Sequence, residues 1–82
     1  MSTHYEKTAR RIVRDLQAFT GGDIDRWSMV HSIARRLELR DHDLIDRAII
    51  HAYERGWIEI QGLHSVKLTE EGRRLLVKPP KG

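Results

Sequence analysis

The sequence predicts a small α+β domain in which three helices precede a β-hairpin and a short C-terminal helix, and three observations support this prediction. Through most of residues 4–55, apolar side chains recur every three or four positions, which is the spacing of amphipathic helices. Between residues 57 and 69 the spacing falls to two, with aliphatic residues alternating on both sides of Gly62, a pattern typical of two paired strands. Helical spacing then returns, until two prolines stop it.

Residues that favour helix ends divide the chain into its elements. Gly21 is suited to the left-handed position that closes the first helix. Asp25 is the expected N-cap of the second helix, Asp41 or Asp43 that of the third, and Thr69 that of the last. The predicted elements are helices at residues 4–20, 26–38, 42–55 and 70–77 and strands at residues 57–61 and 65–69.

The hairpin is expected to supply one side of the core. Its inward residues are Ile58, Ile60, Val66 and Leu68. They are expected to pack against a helical set that consists of Ile12, Leu16, Ile33, Leu37 and Ile49.

The chain has 82 residues, and we expect one domain over residues 1–77 followed by a disordered tail at residues 78–82. No apolar run approaches the roughly 20 residues of a membrane span, and the N-terminus does not resemble a signal peptide. The chain contains no cysteine, which excludes disulfides and thiolate metal sites and fits a cytoplasmic protein. A net charge of +3 favours anionic partners.

Two segments carry a resemblance to a known family. They are L-I-D-R-A-I-I-H-A-Y-E-R-G-W-I, which covers most of the third helix and the start of the hairpin, and L-T-E-E-G-R-R-L-L, which covers the end of the hairpin and most of the last helix. Both are similar to segments of winged helix-turn-helix regulators of bacteria and archaea, of the multiple-antibiotic-resistance type, and the resemblance covers about residues 24–77. It implies a DNA-binding transcriptional regulator whose third helix enters the major groove and whose hairpin, the wing, contacts the neighbouring backbone or minor groove.

The resemblance also implies which residues contact duplex DNA. On the third helix, the residues carried over as groove-facing are His42, Arg47 and His51. Phosphate contacts are carried over to Arg35, Arg36, Arg40, Arg55, His64 and Lys67.

The first helix carries a second basic feature. Lys7, Arg10, Arg11 and Arg14 follow helical spacing on one face. This row is either an ordinary solvated face or a surface for phosphate or for an acidic partner.

A rival interpretation is a winged helix used for protein association or dimerisation without DNA binding. Asp43, Asp46 and Glu54 on the third helix oppose a phosphate backbone, and Ile50 stands among them. Since Trp57 alternates with Ile58, one of the two is expected to face outward. An outward Trp57 would complete an apolar partner patch that consists of Leu44, Ile50, Trp57 and Leu63.

Catalytic and metal-binding signals are absent from the sequence. There is no Gly-rich phosphate loop, no G-x-S-x-G elbow and no H-E-x-x-H motif. The histidines at 42 and 51 are nine residues apart and do not share a close helix face. We therefore expect no enzyme activity, no metal site and no cofactor.

Overall fold

The computed structural model describes residues 3–62 and 64–76, so Leu63 and the tail predicted at residues 78–82 lie outside it. The α+β class is confirmed, because helices and a three-stranded antiparallel sheet make up this part of the chain. The helices are α1 (Thr3–Thr20), α2 (Val30–Arg36), α3 (His42–Glu54) and α4 (Glu70–Leu76). The strands are β1 (Ser28–Met29), β2 (Ile58–Gln61) and β3 (Ser65–Leu68), and their order in the sheet is β1-β3-β2.

The prediction for the second helix was wrong at its start. The helix begins at Val30 and not at residue 26, because β1 occupies the preceding residues and pairs with β3 through Ser28 and Val66. The first helical amide, that of Val30, donates to the carbonyl of His64 in the hairpin at 2.8 Å. Asp25 does not cap this helix, and its amide instead donates to Asp23 Oδ1. Sheet pairing therefore replaces the first turn of the predicted helix.

The predicted core is largely confirmed. The side chains of α1, α3 and the hairpin meet in one cluster with Ile33 of α2. Of the predicted inward residues, Ile60 and Leu37 are only half-buried. The others are buried, namely Ile12, Leu16, Ile33, Ile49, Ile58, Val66 and Leu68. Burial of each such side chain contributes about 1.5–3 kcal/mol, and this apolar contact holds α3 against α1 and the sheet.

The turn between α2 and α3 contains a non-glycine residue with an unusual backbone conformation. Glu38 has a φ of 57°, a left-handed conformation that favours glycine. Its amide donates to Arg35, and the next amide, of Leu39, donates to Ala34 at 2.9 Å, so α2 ends in a Schellman motif. Asp41 then caps α3, since its side chain accepts from the Leu44 amide at 3.2 Å.

We expect Glu38→Gly to stabilise the domain by about 0.5–1 kcal/mol, because glycine adopts the left-handed conformation without the cost that a Cβ imposes. Urea unfolding of the two proteins measures this difference. Glu38→Ala is the matched control, because it removes the carboxylate and keeps the Cβ. An equal gain from the alanine variant would show that charge, and not backbone conformation, is responsible.

The L-T-E-E-G segment joins the start of α4 to the residues that follow α3. Thr69 caps α4, because its Oγ1 accepts from the Gly72 amide at 3.0 Å, and the same hydroxyl donates to the carbonyl of Gly56 at 2.5 Å. The Thr69 amide donates to the carbonyl of Trp57 at 3.1 Å. A Cβ on Gly72 would lie 2.1 Å from that same carbonyl oxygen, so only glycine allows this close approach.

We expect Gly72→Ala to lower the free energy of unfolding by about 1–3 kcal/mol, because the added methyl group forces α4 away from the Trp57 carbonyl. An ordinary helical position would instead gain about 1 kcal/mol from this change. Urea unfolding measures the effect. Glu71→Ala on the exposed side of the same helix is the control and should stay within about 0.5 kcal/mol of the wild type. A stabilised Gly72→Ala variant would contradict the close approach.

Candidate interaction surface on α3 and the hairpin

The helix α3 uses one face for the core and leaves the opposite face in solvent. Its inner residues Ile45, Ala48, Ile49 and Ala52 are buried. Its outer residues are exposed, namely Asp43, Asp46, Arg47, Ile50, Tyr53 and Glu54. The outer face thus combines three carboxylates and one guanidinium with two large apolar side chains.

Both apolar residues of this outer face are about half exposed. Ile50 has 52% of its surface in solvent and Tyr53 has 53%. Tyr53 was not among the residues predicted for the apolar partner patch, so its exposure was not anticipated. The sequence feature that could have predicted this exposure is the spacing of three residues between Ile50 and Tyr53, because residues three apart on a helix lie on neighbouring parts of one face.

A groove of about 570 Å³ lies beside this face, between α2, α3 and the hairpin. Its apolar lining includes Ala34, Ile45, Ile49 and Ile60, and Ile50 borders it on α3. Polar residues also line it, namely His31, His42, Asp46 and His64. The sequence did not predict this groove, because residues from three elements form it.

Arg47 lies on the outer face of α3 and has an acidic neighbour. Its Nε donates to Asp43 Oδ2 at 2.9 Å, and this hydrogen bond raises the pKa of the Arg47 guanidinium. The guanidinium also lies 5.7 Å from the ring centroid of Tyr5 on α1. Both members of the ion pair are largely exposed, so water and salt screen the attraction and the pair opens at little cost.

Trp57 was included in the apolar partner patch because either it or Ile58 was expected to face outward, and this expectation was wrong. Its side chain is only 5% exposed, while the neighbouring Ile58 is 2% exposed. Gly56 has a φ of 82° and turns the chain sharply at the end of α3, and β2 begins only at Ile58. Because Trp57 precedes the strand, strand alternation does not govern its side chain, and its ring lies next to Arg10 of α1.

His51 also departs from its predicted position. It is half-buried, with its Nε2 3.8 Å from Glu6 Oε1 and its ring 6.0 Å from that of Trp57. Arg55 also contacts Trp57, with its guanidinium 5.5 Å from the centroid of the ring. His51 therefore lies toward α1, and Arg55 packs on the buried Trp57 ring.

Of the predicted apolar patch, Ile50 alone is exposed among the described residues. Leu44 is half-buried, and Trp57 belongs to the core. The predicted contact Leu63 lies outside the described residues. The exposed apolar surface of α3 is therefore formed by Ile50 and Tyr53.

Two of the predicted phosphate contacts are engaged elsewhere in the fold. Arg36 makes a two-pronged ion pair with Asp15 of α1, with a closest distance of 2.6 Å, and this hydrogen bonding raises its pKa. Its guanidinium also stacks 4.0 Å from the centroid of Phe19. Lys67 lies over the ring of Trp27 at 4.9 Å and 4.0 Å from Glu59. Arg36 thus joins α2 to α1, and Lys67 covers the outer surface of the sheet.

The remaining predicted contacts are exposed. Arg35 and Arg40 point into solvent on α2 and on the loop before α3, and His42 and His64 are exposed at the groove. Arg35 lies 3.4 Å from His31 Nε2. Imidazole groups from α2, α3 and the hairpin therefore line the groove.

The basic row of α1 is exposed, as its spacing indicates. Lys7, Arg10, Arg11 and Arg14 all lie in solvent. Arg10 pairs with Glu6 at 3.0 Å, and Arg11 donates to the carbonyl of Leu37 at 3.4 Å. This row belongs to α1 and is separate from the outer face of α3.

Comparison with known proteins gives no family assignment: no protein-family model, curated protein or solved structure matches the chain. Within residues 3–62 and 64–76, no group of three or more histidine, cysteine, aspartate or glutamate side chains is arranged to hold a metal ion. No helix in this part of the chain has the length and apolar composition that crossing a bilayer requires.

Proposed function

We propose that this chain is a winged helix-turn-helix domain that binds duplex DNA and acts as a regulator of transcription. In this assignment α2 and α3 form the helix-turn-helix unit, and the β2–β3 hairpin is the wing. The order of elements and the antiparallel hairpin that follows α3 support the assignment. So does the resemblance of the E-R-G-W-I and L-T-E-E-G segments to winged-helix regulators.

The observation that carries the proposal is the position of α3. The helix is held by a single face, and its N-terminal half is exposed next to the hairpin. Helix-turn-helix proteins read bases with the N-terminal residues of such a helix in the major groove. His42 and Arg47 are the residues in this half that donate to base edges.

The charges around α3 set the mode of binding. Arg35 in the last turn of α2 and Arg40 just before α3 are exposed and contact phosphates in the proposed complex. Asp43, Asp46 and Glu54 repel the backbone, although a carboxylate accepts a hydrogen bond from cytosine. Phosphate contacts therefore supply most of the affinity, and sequence preference is weak.

The proposal predicts a steep salt dependence of affinity for a duplex labelled with a fluorophore, measured by anisotropy. Each neutralised phosphate contributes about −0.9 to the slope of log affinity against log salt. Removal of two phosphate contacts in Arg35→Ala/Arg40→Ala should therefore make the slope less steep by about 1.8. Arg47→Ala should weaken binding at every salt concentration and reduce any base preference.

The control for these variants is Arg74→Ala on α4, which removes the same charge far from the proposed interface and should bind as the wild type does. Circular dichroism checks that each variant is folded. A wild-type protein that binds no duplex at low salt contradicts the proposal. Equal losses from Arg74→Ala and Arg35→Ala/Arg40→Ala would reduce the interaction to net charge and would also contradict it.

A second candidate function is protein association through the outer face of α3. The specific observation in its favour is the half exposure of Ile50 and Tyr53 among carboxylates. An apolar centre with a charged rim is the arrangement of many protein interfaces, and aromatic residues are frequent among their main energetic contributors. In this candidate the carboxylates discourage nucleic acid and select a protein.

This second candidate predicts position-dependent photo-crosslinking in the cells that make the protein. A benzophenone amino acid in place of Tyr53 should give nuclease-resistant adducts heavier than the monomer, because a bound partner covers that side chain. The same substitution at Arg74 should give none. Absence of adducts at Tyr53, or equal adducts at both positions, would contradict the candidate.

A further inference from the structure

We infer that the outer face of α3 is self-complementary and binds a second copy of this chain, with the two α3 helices antiparallel and Ile50 at the centre. The inference deepens the second candidate function and rests on it. Three properties of the described residues support it: the apolar centre, the spacing of the charges and the groove that flanks them.

The apolar centre is the first step. Ile50 projects from the middle of α3 with half of its surface in solvent, and Tyr53 does so one turn later. In a pair related by a two-fold axis, a residue at the centre meets its own counterpart, so one exposed isoleucine supplies both sides of the contact. The two tyrosines extend the apolar area along the same helix.

The spacing of charges selects the antiparallel direction. Arg47 and Glu54 lie at equal distances from a point between Ile50 and His51, about 5 Å on either side at 1.5 Å per residue. They are seven residues apart and therefore project from the same side of the helix. Around a two-fold axis at that point, Arg47 of each copy faces Glu54 of the other.

The parallel direction does not have this property. Parallel helices in register would place each arginine next to an arginine and each glutamate next to a glutamate. The ion pair with Asp43 does not prevent the antiparallel contact, because it is exposed and a guanidinium has five N–H donors. One Arg47 side chain can therefore bind Asp43 of its own copy and, at the same time, Glu54 of the second copy.

The groove supplies surface next to the helix contact. It is bordered by Ile50 and lined by Ile49 and Ile60, so its apolar area continues that of the α3 face. The dimer therefore has room to bury more than the helix contact alone. The basic row of α1 is separate from this surface and takes no part in the proposed dimer.

Sedimentation velocity over a range of concentrations tests the inference with three charge variants. The wild type is expected to form a dimer. Arg47→Glu and Glu54→Arg should each weaken it by roughly a hundredfold or more, because both symmetric ion pairs become like-charge contacts. The double variant Arg47→Glu/Glu54→Arg restores both pairs with their polarity reversed and should dimerise within roughly tenfold of the wild type.

A mixture of the two single variants gives a further result that only this geometry predicts. One copy then carries two glutamates and the other carries two arginines, so the mixture should form a heterodimer although neither variant dimerises alone. The control is Glu71→Arg/Arg74→Glu on α4, which should not alter dimerisation. Circular dichroism and thermal melting should show that all variants are folded, since the changed side chains are exposed.

Three outcomes would overturn the inference. The first is a wild type that sediments as a monomer up to its solubility limit. The second is a set of single variants that dimerise as the wild type does. The third is a double variant or a mixture that remains monomeric. Loss of association in Arg14→Glu on α1 would identify a head-to-tail contact in place of the symmetric one. A monomeric wild type that gives adducts at position 53 would overturn the dimer and show instead that α3 binds a different protein. The Arg35→Ala/Arg40→Ala variant tests DNA binding independently of both results.

Discussion

The burial of Trp57 is the constraint on which the arrangement of the other elements depends. Its ring is enclosed by Arg10 of α1 and by Arg55 and His51 at the end of α3. Its carbonyl accepts the Thr69 amide and leaves no space for a Cβ on Gly72. One residue therefore fixes the position of α3, the start of β2 and the start of α4 relative to α1.

The helix α2 is held by a different set of contacts. A helix of seven residues has little stability of its own, because nucleation is costly and few hydrogen bonds follow it. Its first amide is bound by the hairpin, its last turn is tied to α1 through Arg36 and Asp15, and Ile33 enters the core. These contacts set the orientation of α2 beside α3 and thereby form the groove.

The outer face of α3 has one composition and two proposed uses. The proposed DNA complex uses its exposed N-terminal half, and the proposed dimer uses its middle, around Ile50. The two ligands therefore exclude each other on a given molecule, and each is expected to reduce the apparent affinity for the other. Higher salt is expected to weaken both proposed complexes, and the DNA complex more strongly, because DNA binding releases condensed counterions whereas the proposed dimer has an apolar centre.

The sequence by itself determined the elements that depend on local patterns. The spacing of apolar residues predicted α1, α3, the hairpin and most of the core, and Gly21 and Thr69 marked helix ends correctly. These features follow from periodicity and capping, which act over a few residues. The exposure of Arg47 and Ile50 was also predictable, because α3 has one clear apolar face.

Only the tertiary structure decided the features that join distant segments. The strand β1 replaced the predicted start of α2 because it pairs with β3, nearly forty residues later. Trp57 turned inward because Gly56 redirects the chain and because α1 supplies Arg10 as a cover for its ring. Arg36, His51 and Lys67 took their partners from other elements. Such choices depend on which side chains meet after the helices pack, and a linear pattern of residues does not contain that information.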